Sequence, residues 1–212
     1  MVCPGCAKNI ADDVNFCPYC GRLLSTEIVL PLEEVSLVFL RADLSGFTSI
    51  SEQMSAEDVM SFLNTLFDNF YEIINKYKGL LYQVIGDEIV AIFGLKKESG
   101  YSSHLSIMAA EEIIKKVEEC GKSFSLKKEC AIKVGMEMAP ASIYRIRQSL
   151  HHAIIVTDGF IKSLILQKNA NNNIVFVGET LYQATRSIFE YEEYGELIEN
   201  LVSVRAYTLK LR

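Results

Sequence analysis

The sequence predicts an α+β fold in which a ferredoxin-like βαββαβ domain follows a small four-cysteine metal-binding unit. Four of the six cysteines stand within the first twenty residues as two Cys-x-x-Cys pairs. Farther along, apolar patterns follow in the order strand, helix, hairpin, helix and strand, which is the order of the βαββαβ plan. We therefore expect a metal-binding unit over residues 1–22, a linker over 23–34 and the larger domain over 35–212.

The cysteine pairs are Cys3 with Cys6 and Cys17 with Cys20. A gap of two residues lets one tight turn aim two thiolates at a single ion, and two such turns complete a tetrahedron around zinc. The stretch CPGCAKNIADDVNFCPYCGRLL resembles the short zinc ribbons at the head of many prokaryotic proteins. The resemblance implies a closed, structural Zn²⁺ site, in a unit that stabilises the chain or docks a protein partner.

The larger domain alternates between segments of strand pattern and segments of helix pattern. Runs of β-branched and apolar residues predict strands, and apolar residues that recur every three or four positions predict helices. In chain order, the predicted elements are a strand at 35–42, a helix at 55–77, strands at 80–85 and 89–93, a helix at 104–119 and a strand at 131–138. The turn Gly86-Asp87-Glu88 makes the two middle strands a hairpin.

The composition argues against several classes of partner. The formal net charge is −6 and no run of Lys or Arg occurs, so the chain lacks the positive surface that nucleic-acid binding requires. No apolar stretch approaches the ~20 residues that span a bilayer, and the N-terminus lacks the basic and apolar regions of a signal peptide. We expect a cytoplasmic protein that binds neither nucleic acid nor membrane.

Two aspartates stand where this plan places them together. Asp43 ends the first strand and Asp87 lies at the tip of the hairpin, so neighbouring antiparallel strands bring both carboxylates to one edge of the sheet. Such a pair suits Mg²⁺ or Mn²⁺, which bind through one or two carboxylates plus substrate phosphates. The turn at Gly46 leaves backbone N–H groups of residues 45–48 to cradle a polyphosphate.

The segment 37–94 carries a specific pattern of an apolar strand, Asp, two residues, Gly-Phe-Thr, a long helix, Gly-Asp and a strand that ends in Phe-Gly. In order and spacing it closely resembles the first half of the class III nucleotidyl cyclase catalytic domain. The resemblance implies that the 3′-hydroxyl of a nucleoside triphosphate attacks its own α-phosphate. The products would be a 3′,5′-cyclic nucleotide and pyrophosphate.

By the same resemblance, Asp43 and Asp87 hold two Mg²⁺ or Mn²⁺ ions per active site, and the Leu44 carbonyl adds a ligand. Gln83 stands where the family usually carries a base-reading Lys; an amide can donate and accept, so it can read a base edge without enforcing adenine. The expected cofactor- and phosphate-binding residues are Leu44, Ser45, Gly46, Phe47, Thr48, Gly86 and Gln83.

The second half departs from the family and leaves two registers open. The family carries a Gly-Asp-x-Val-Asn-x-Ala-x-Arg helix, whose Asn orients the ribose and whose Arg stabilises the transition state. In the first register this helix starts at Gly178, and Arg186 stands at the position of the catalytic Arg. Tyr182 then replaces the Asn, and Val175 replaces the base-reading acid.

In the second register, the segments 153–164 and 189–209 resemble a later strand with its helix and the closing hairpin of the family. The Asn/Arg helix is then shortened or lost. Arg145 or Arg147 would be the only cation near its place.

The resemblance implies an enzyme of cyclic-nucleotide signalling that works as a head-to-tail homodimer, in which each chain completes the other's active site. The alternative is a degenerate cyclase-like module that binds metal–nucleotide or a protein partner without turnover. The altered second half favours this alternative, and the intact pair Asp43 and Asp87 opposes it.

Overall fold

The computed structural model describes residues 1–11, 14, 17–22, 24, 32–52, 54–95, 101–124, 130–145 and 153–211. The chain divides into two compact units, Met1–Leu32 and Glu33–Arg212. Most of the predicted linker lies outside the described residues. Among the described helices, none combines the length and the apolar character needed to cross a membrane.

The first half of the larger unit follows the predicted order, with one short helix over Phe47–Ser51 that the sequence did not predict. Its elements are β1 (Leu32–Ser45), α1 (Phe47–Ser51), α2 (Ala56–Lys76), β2 (Leu80–Ile85), β3 (Glu88–Phe93) and α3 (Ser102–Ser123). The Ser55 hydroxyl caps α2 by accepting a hydrogen bond from the N–H of Asp58 at 3.1 Å. The predicted α+β class is confirmed, with β1 beginning three residues earlier than expected.

The second half adds a longer strand and three further pairs of elements. These are β4 (Ala131–Arg145), β5 (Ala153–Val156), α4 (Gly159–Asn169), β6 (Ile174–Gly178), α5 (Glu179–Thr185), β7 (Tyr191–Glu199) and β8 (Val202–Leu209). The prediction that β4 ends at 138 is wrong. The strand continues because its last residues, from Ser142 to Arg145, pair with the antiparallel β5.

One sheet of eight strands unites these elements in the order β2-β3-β1-β4-β6-β8-β7, with β5 beside the far end of β4. β4 and β6 run parallel, so the chain must cross over the sheet between them, and α4 lies in this connection. The neighbours β3, β1 and β4 are therefore interior strands of the sheet, and the candidate site lies at one end of β1 and β3.

The two faces of the sheet bury different helices. On one face, α2 and α3 pack on alternate residues of β1, among them Leu40, Ala42 and Leu44, in the main hydrophobic core. The opposite face carries Leu37 and Phe39, against which α4 packs. Since side chains alternate along a strand, Arg41 and Asp43 belong to the α4 face.

The placement of α4 depends on the absence of a side chain at Gly135 of β4. A Cβ built there would lie 2.1 Å from the backbone nitrogen of Gln167 and 2.4 Å from the backbone oxygen of Ser163. Because these atoms are backbone, no rotamer change could relieve the contact. Gly135 therefore lets α4 lie directly on the strand.

Candidate functional site

The four N-terminal cysteines converge on one point in the first unit. Their four sulfur atoms all lie within 4.8 Å of one another. The distance between the Sγ atoms of Cys3 and Cys20 is 3.7 Å, and that between Cys6 and Cys17 is 3.5 Å. Four thiolates at ~2.3 Å from a tetrahedral Zn²⁺ would be about 3.8 Å apart, so the sulfurs fit one zinc ion.

Two equivalent turns produce this arrangement. The N–H of Ala7 donates to the carbonyl of Cys3 at 2.9 Å, and the N–H of Gly21 donates to the carbonyl of Cys17 at 2.9 Å. Ala7 and Gly21 both have left-handed backbone, with φ of 56° and 72°. Each Cys-x-x-Cys pair is thus closed by the same backbone conformation at the residue after its second cysteine.

In the second unit, Asp43 and Asp87 lie at the same end of the sheet. Asp43 of β1 is directly opposite Glu88 of β3, and Asp87 immediately precedes Glu88 at the hairpin turn. Both aspartates are half-buried. The structure therefore gives the two residues the placement that the sequence predicts.

The electrostatics of Asp43 reflect this crowding of acids. Burial, together with the negative charges of Asp87 and Glu88, raises the pKa of Asp43 to about 6. Lys133 of β4 and the amide of Gln167 act in the opposite direction on that pKa. A divalent cation between these carboxylates would relieve their repulsion, so the donor set fits Mg²⁺ or Mn²⁺.

Glu88, the third acid, is already paired. Its Oε1 accepts a hydrogen bond from Nη1 of Arg41 at 2.6 Å, and both side chains are mostly buried. This ion pair neutralises Glu88, whereas Asp43 and Asp87 have no ion pair within the part of the chain that the structure describes.

The segment after Asp43 turns sharply into α1. Gly46 is exposed and has φ +73°, a left-handed backbone conformation that favours glycine. Phe47 packs on the main core with its ring centroid 6.5 Å from that of Phe62, and Thr48 is exposed. Leu44 is buried on the α2–α3 face, so only its backbone is available to the site.

The hairpin between β2 and β3 carries the remaining expected contacts. Gly86 is exposed, with φ +62°, at the turn. Gln83 is exposed on β2 and pairs across to Val90 of β3, which pairs with Arg41 of β1 on its other side. Gln83 is thus open to a ligand, on a strand separated from β1 by β3.

The comparison with protein families shows to which family the chain belongs. The sequence profile of the adenylate and guanylate cyclase catalytic domain matches residues 29–198. The chain belongs to this family. Residues 1–24 match the profile of the zinc-ribbon domain.

Solved structures of cyclases share the fold. The adenylyl cyclase CyaB from P. aeruginosa superposes with a TM-score of 0.76 at 16% identity, over 85% of this chain and 96% of that chain. The guanylate cyclase domain of RhGC from Catenaria anguillulae, solved in complex with GTP, superposes with a TM-score of 0.73 at 19% identity, over 85% of this chain and 99% of that chain.

Among curated proteins, the receptor-type guanylate cyclase gcy-5 of Caenorhabditis elegans is 22% identical over 165 residues, which are 76% of this chain and 14% of that protein. Another, gcy-23 of the same organism, is 32% identical over 59 residues, 28% of this chain and 6% of that protein. The chain therefore spans a small part of the curated relatives that it matches.

Within the cyclase domain, Arg186 is not brought to the aspartates of its own chain. It lies exposed at the C-terminal end of α5, and α5 buries Leu181 in the core on the α2–α3 face. Tyr182 stacks on Tyr207 with centroids 3.8 Å apart, and Val175 is fully buried in the same core. Val175 lies in the interior and Tyr182 is half-buried against the core, a packing that does not suit the base and ribose contacts of the first register.

The start of α4 offers a further fit to the family's Asn/Arg helix. Thr157-Asp158-Gly159-Phe160-Ile161 can be aligned with Gly-Asp-x-Val-Asn, which places Ile161 at the Asn and Ile165 at the Arg. Ile161 is exposed and Ile165 is buried. Of the cations in the second register, Arg145 is described by its backbone alone, and Arg147 lies outside the described residues.

The sequence did not predict a role for Lys133 of β4 or Gln167 of α4. Both residues lower the pKa of Asp43 on β1. Lys133 had a detectable signal, because it is a charged residue at an alternate position of an apolar strand. Gln167 had none, since its proximity to Asp43 arises only from the crossover of α4.

The sequence also did not predict a role for Glu137 of β4, whose side chain is buried. Its Oε1 accepts hydrogen bonds from the N–H of Met138 at 2.8 Å and of Leu181 at 3.3 Å. Burial raises its pKa to about 7, against the effect of these bonds. Lys162 of α4 lowers this pKa, and Asp158, which immediately precedes α4, raises it.

We expect Glu137→Gln to change the pH dependence of stability. The unfolded carboxyl ionises near pH 4.5 and the folded one near pH 7, so the folded state holds more protons between these values and wild-type stability falls as pH rises. The neutral amide removes this fall, so the variant is expected to be more stable than wild type by about 3 kcal/mol at pH 8 and close to equal near pH 4.5. Urea denaturation across this range measures it, with the exposed Glu190→Gln as control; parallel curves for wild type and Glu137→Gln would contradict the assignment.

Proposed function

We propose that the chain is a cytoplasmic nucleotidyl cyclase that converts a nucleoside triphosphate to its 3′,5′-cyclic nucleotide and pyrophosphate in cyclic-nucleotide signalling. The observation that carries the proposal is the convergence of Asp43 and Asp87 at one end of the sheet, in a member of the adenylate and guanylate cyclase family. Their mutual repulsion favours a divalent cation at this point of the fold.

The residues that would hold Mg²⁺ or Mn²⁺ are Asp43, Asp87 and the backbone carbonyl of Leu44. When bound, two such ions would lower the pKa of the attacking 3′-hydroxyl and stabilise charge on the reacting phosphate. The chain's own part is to fix the carboxylates: β1 and β3 hold them at one sheet end, and the Arg41–Glu88 pair keeps the third acid occupied.

The triphosphate is assigned to the turn after β1. Ser45 and Gly46 precede the first turn of α1, where backbone N–H groups of a helix lack intrahelical acceptors; Phe47, Thr48 and Gly86 complete the expected set. Lys133, whose positive charge lowers the pKa of Asp43, adds a cation near that carboxylate. Gln83 would read the base through its exposed amide.

We further propose a head-to-tail homodimer. Strands β2 and β5 and helix α4 expose several apolar side chains, which in a monomer would remain in contact with water. These are Tyr82, Val84 and Ile85 on β2, Ile154 and Val156 on β5, and Ile161 on α4. A second copy of the chain would cover them and bring its own base-reading and transition-state residues, with Arg186 among the candidates.

Val156→Asp should weaken this dimer and the activity together. Val156 is 67% exposed, so the substitution leaves the folded chain intact but places a charge in the interface of each copy. We expect the dimer dissociation constant to rise roughly a hundredfold, measured by analytical ultracentrifugation with nucleotide and Mn²⁺. The control is Leu201→Asp, at a fully exposed hairpin tip; equal dimerisation of wild type and Val156→Asp would exclude this surface.

The second candidate function is a nucleotide-binding module without turnover. The observation that favours it is that neither fit to the Asn/Arg helix retains the Asn. In one fit its position is held by Tyr182, which stacks on Tyr207, and in the other by Ile161, with Ile165 in place of the Arg. Such a module would still use Asp43 and Asp87 to hold metal–nucleotide, and would signal through its conformation or a partner.

The N-terminal unit is assigned one structural Zn²⁺ ion held by Cys3, Cys6, Cys17 and Cys20. With four cysteine ligands the ion has no open position for catalysis. We propose that this unit, residues 1–22, is joined by a linker over 23–34 to the cyclase domain over 35–212. Docking of a protein partner is its proposed role, without contact to nucleic acid or membrane.

A scan of substrates tests the cyclase proposal. Purified protein is incubated separately with ATP, GTP, CTP and UTP, with Mg²⁺ and with Mn²⁺, and products are identified by mass spectrometry. The proposal predicts a cyclic nucleotide from at least one triphosphate, which names the base. Binding of a triphosphate without product in any of the eight reactions would instead support the binding module.

A further inference from the structure

The buried amide of Gln167 faces the proposed metal site. Gln167 lies on α4 with only 5% of its surface exposed, and its Nε2 donates to Oδ2 of Asp43 at 3.4 Å. A buried amide needs a hydrogen-bond partner. This contact joins residues 124 positions apart in the sequence, so it exists only in the folded domain.

The backbone around Gln167 is held tightly in place. Its nitrogen would lie 2.1 Å from a Cβ at Gly135, so α4 rests on β4 at this point. At the start of the same helix, Phe160 packs edge-on against Phe39 of β1 with centroids 4.7 Å apart. Helix α4 is therefore fixed on β1 and β4 at both ends of the segment that presents Gln167.

We propose that Gln167 is a positioning residue for the metal ligand Asp43. The proposal rests on the proposed function and adds to it a role for α4 within the same chain. By donating to Oδ2, the amide would fix the orientation of the carboxylate and leave Oδ1 available to bind a cation. Groups that hydrogen-bond to a metal ligand in this way commonly raise metal affinity by about 10–100-fold.

The test is the affinity for Mn²⁺ alone. Gln167→Met removes the donor and keeps a long side chain of similar volume, and the matched control is Gln183→Met, at an exposed amide on α5. Mn²⁺ is titrated against the full chain after zinc loading, and free Mn²⁺ is followed by electron paramagnetic resonance. We expect the dissociation constant of Gln167→Met to rise about tenfold, with the control within twofold of wild type.

The outcomes separate the two proposals. If wild type itself fails to bind Mn²⁺, the proposed function fails. If wild type binds and Gln167→Met binds within twofold of it, the positioning role is overturned. Circular dichroism verifies that the variant is folded; if Gln167→Met unfolds, Gln167→Leu is measured in its place against the same thresholds.

A second readout distinguishes positioning from loose packing. If Gln167 acts through Asp43, the variant needs more Mn²⁺ for half-maximal binding of a non-cyclisable triphosphate analogue, and saturating Mn²⁺ restores the analogue affinity. If instead the variant only loosens α4, the analogue affinity stays low at all Mn²⁺ concentrations, and the inference is wrong.

Discussion

Asp87→Ala is expected to abolish cyclic-nucleotide formation while leaving the domain folded. Asp87 lies half-buried at a hairpin turn and contributes no volume to the hydrophobic core. Its removal leaves Asp43 as the one carboxylate at this edge of the described sheet that has no ion pair, since Glu88 is paired with Arg41. Loss of several kcal/mol of charge stabilisation in the transition state corresponds to a rate lower by about a thousandfold.

The matched control is Asp68→Ala, at an exposed aspartate of α2, which should retain wild-type activity. Both variants are compared with wild type by initial rate and by thermal unfolding. Wild-type turnover in Asp87→Ala would refute the assignment of the metal site. Inactivity accompanied by a large loss of thermal stability would place Asp87 among the structural residues instead.

Cys17→Ser is expected to remove the zinc ion and unfold the N-terminal unit. A chain of about twenty residues cannot bury enough apolar surface to fold alone, and a structural Zn²⁺ supplies ~10 kcal/mol or more of binding free energy to such units. Wild type purified without chelator should hold one zinc per chain by elemental analysis, and Cys17→Ser none. Hydrogen exchange should then lose protection in residues 1–22 alone, because Glu33–Arg212 forms its own compact unit.

Cys120→Ala provides the control for this substitution. Cys120 is a buried cysteine of α3 that does not belong to the four-sulfur cluster, so the variant should retain its zinc. A wild-type protein without zinc, or amides in residues 1–22 that stay protected after chelation, would contradict the assignment of this site.

The sequence predicted the first half of the fold well because its signals are local. Helix α2 shows helical spacing through Phe62, Leu66 and Phe70 and begins at the Ser55 cap, and the turn at Gly86 marks the hairpin. The second half depends on distant pairing. The extension of β4 beyond 138 reflects its pairing with β5, and the crossover by α4 follows from the parallel contact between β4 and β6.

The candidate site divides in the same way. Short sequence patterns surround Asp43, Asp87 and the four N-terminal cysteines, and the spacing within these patterns predicts metal binding. Lys133, Glu137 and Gln167 acquire their surroundings only when β4 and α4 pack beside β1. The sequence alone did not decide which segment corresponds to the Asn/Arg helix of the family. Helices α4 and α5 are both short and both follow a strand, so either could be aligned with it.

The stoichiometry of the reaction tests the central claim most directly. With the preferred triphosphate and saturating Mn²⁺, the amounts of cyclic nucleotide and pyrophosphate are measured together over time, for wild type and Asp87→Ala. Intramolecular attack by the 3′-hydroxyl predicts one pyrophosphate for each cyclic nucleotide, and neither product from the variant. Bound triphosphate that remains unchanged, or phosphate release without cyclic nucleotide, would contradict the assignment as a cyclase.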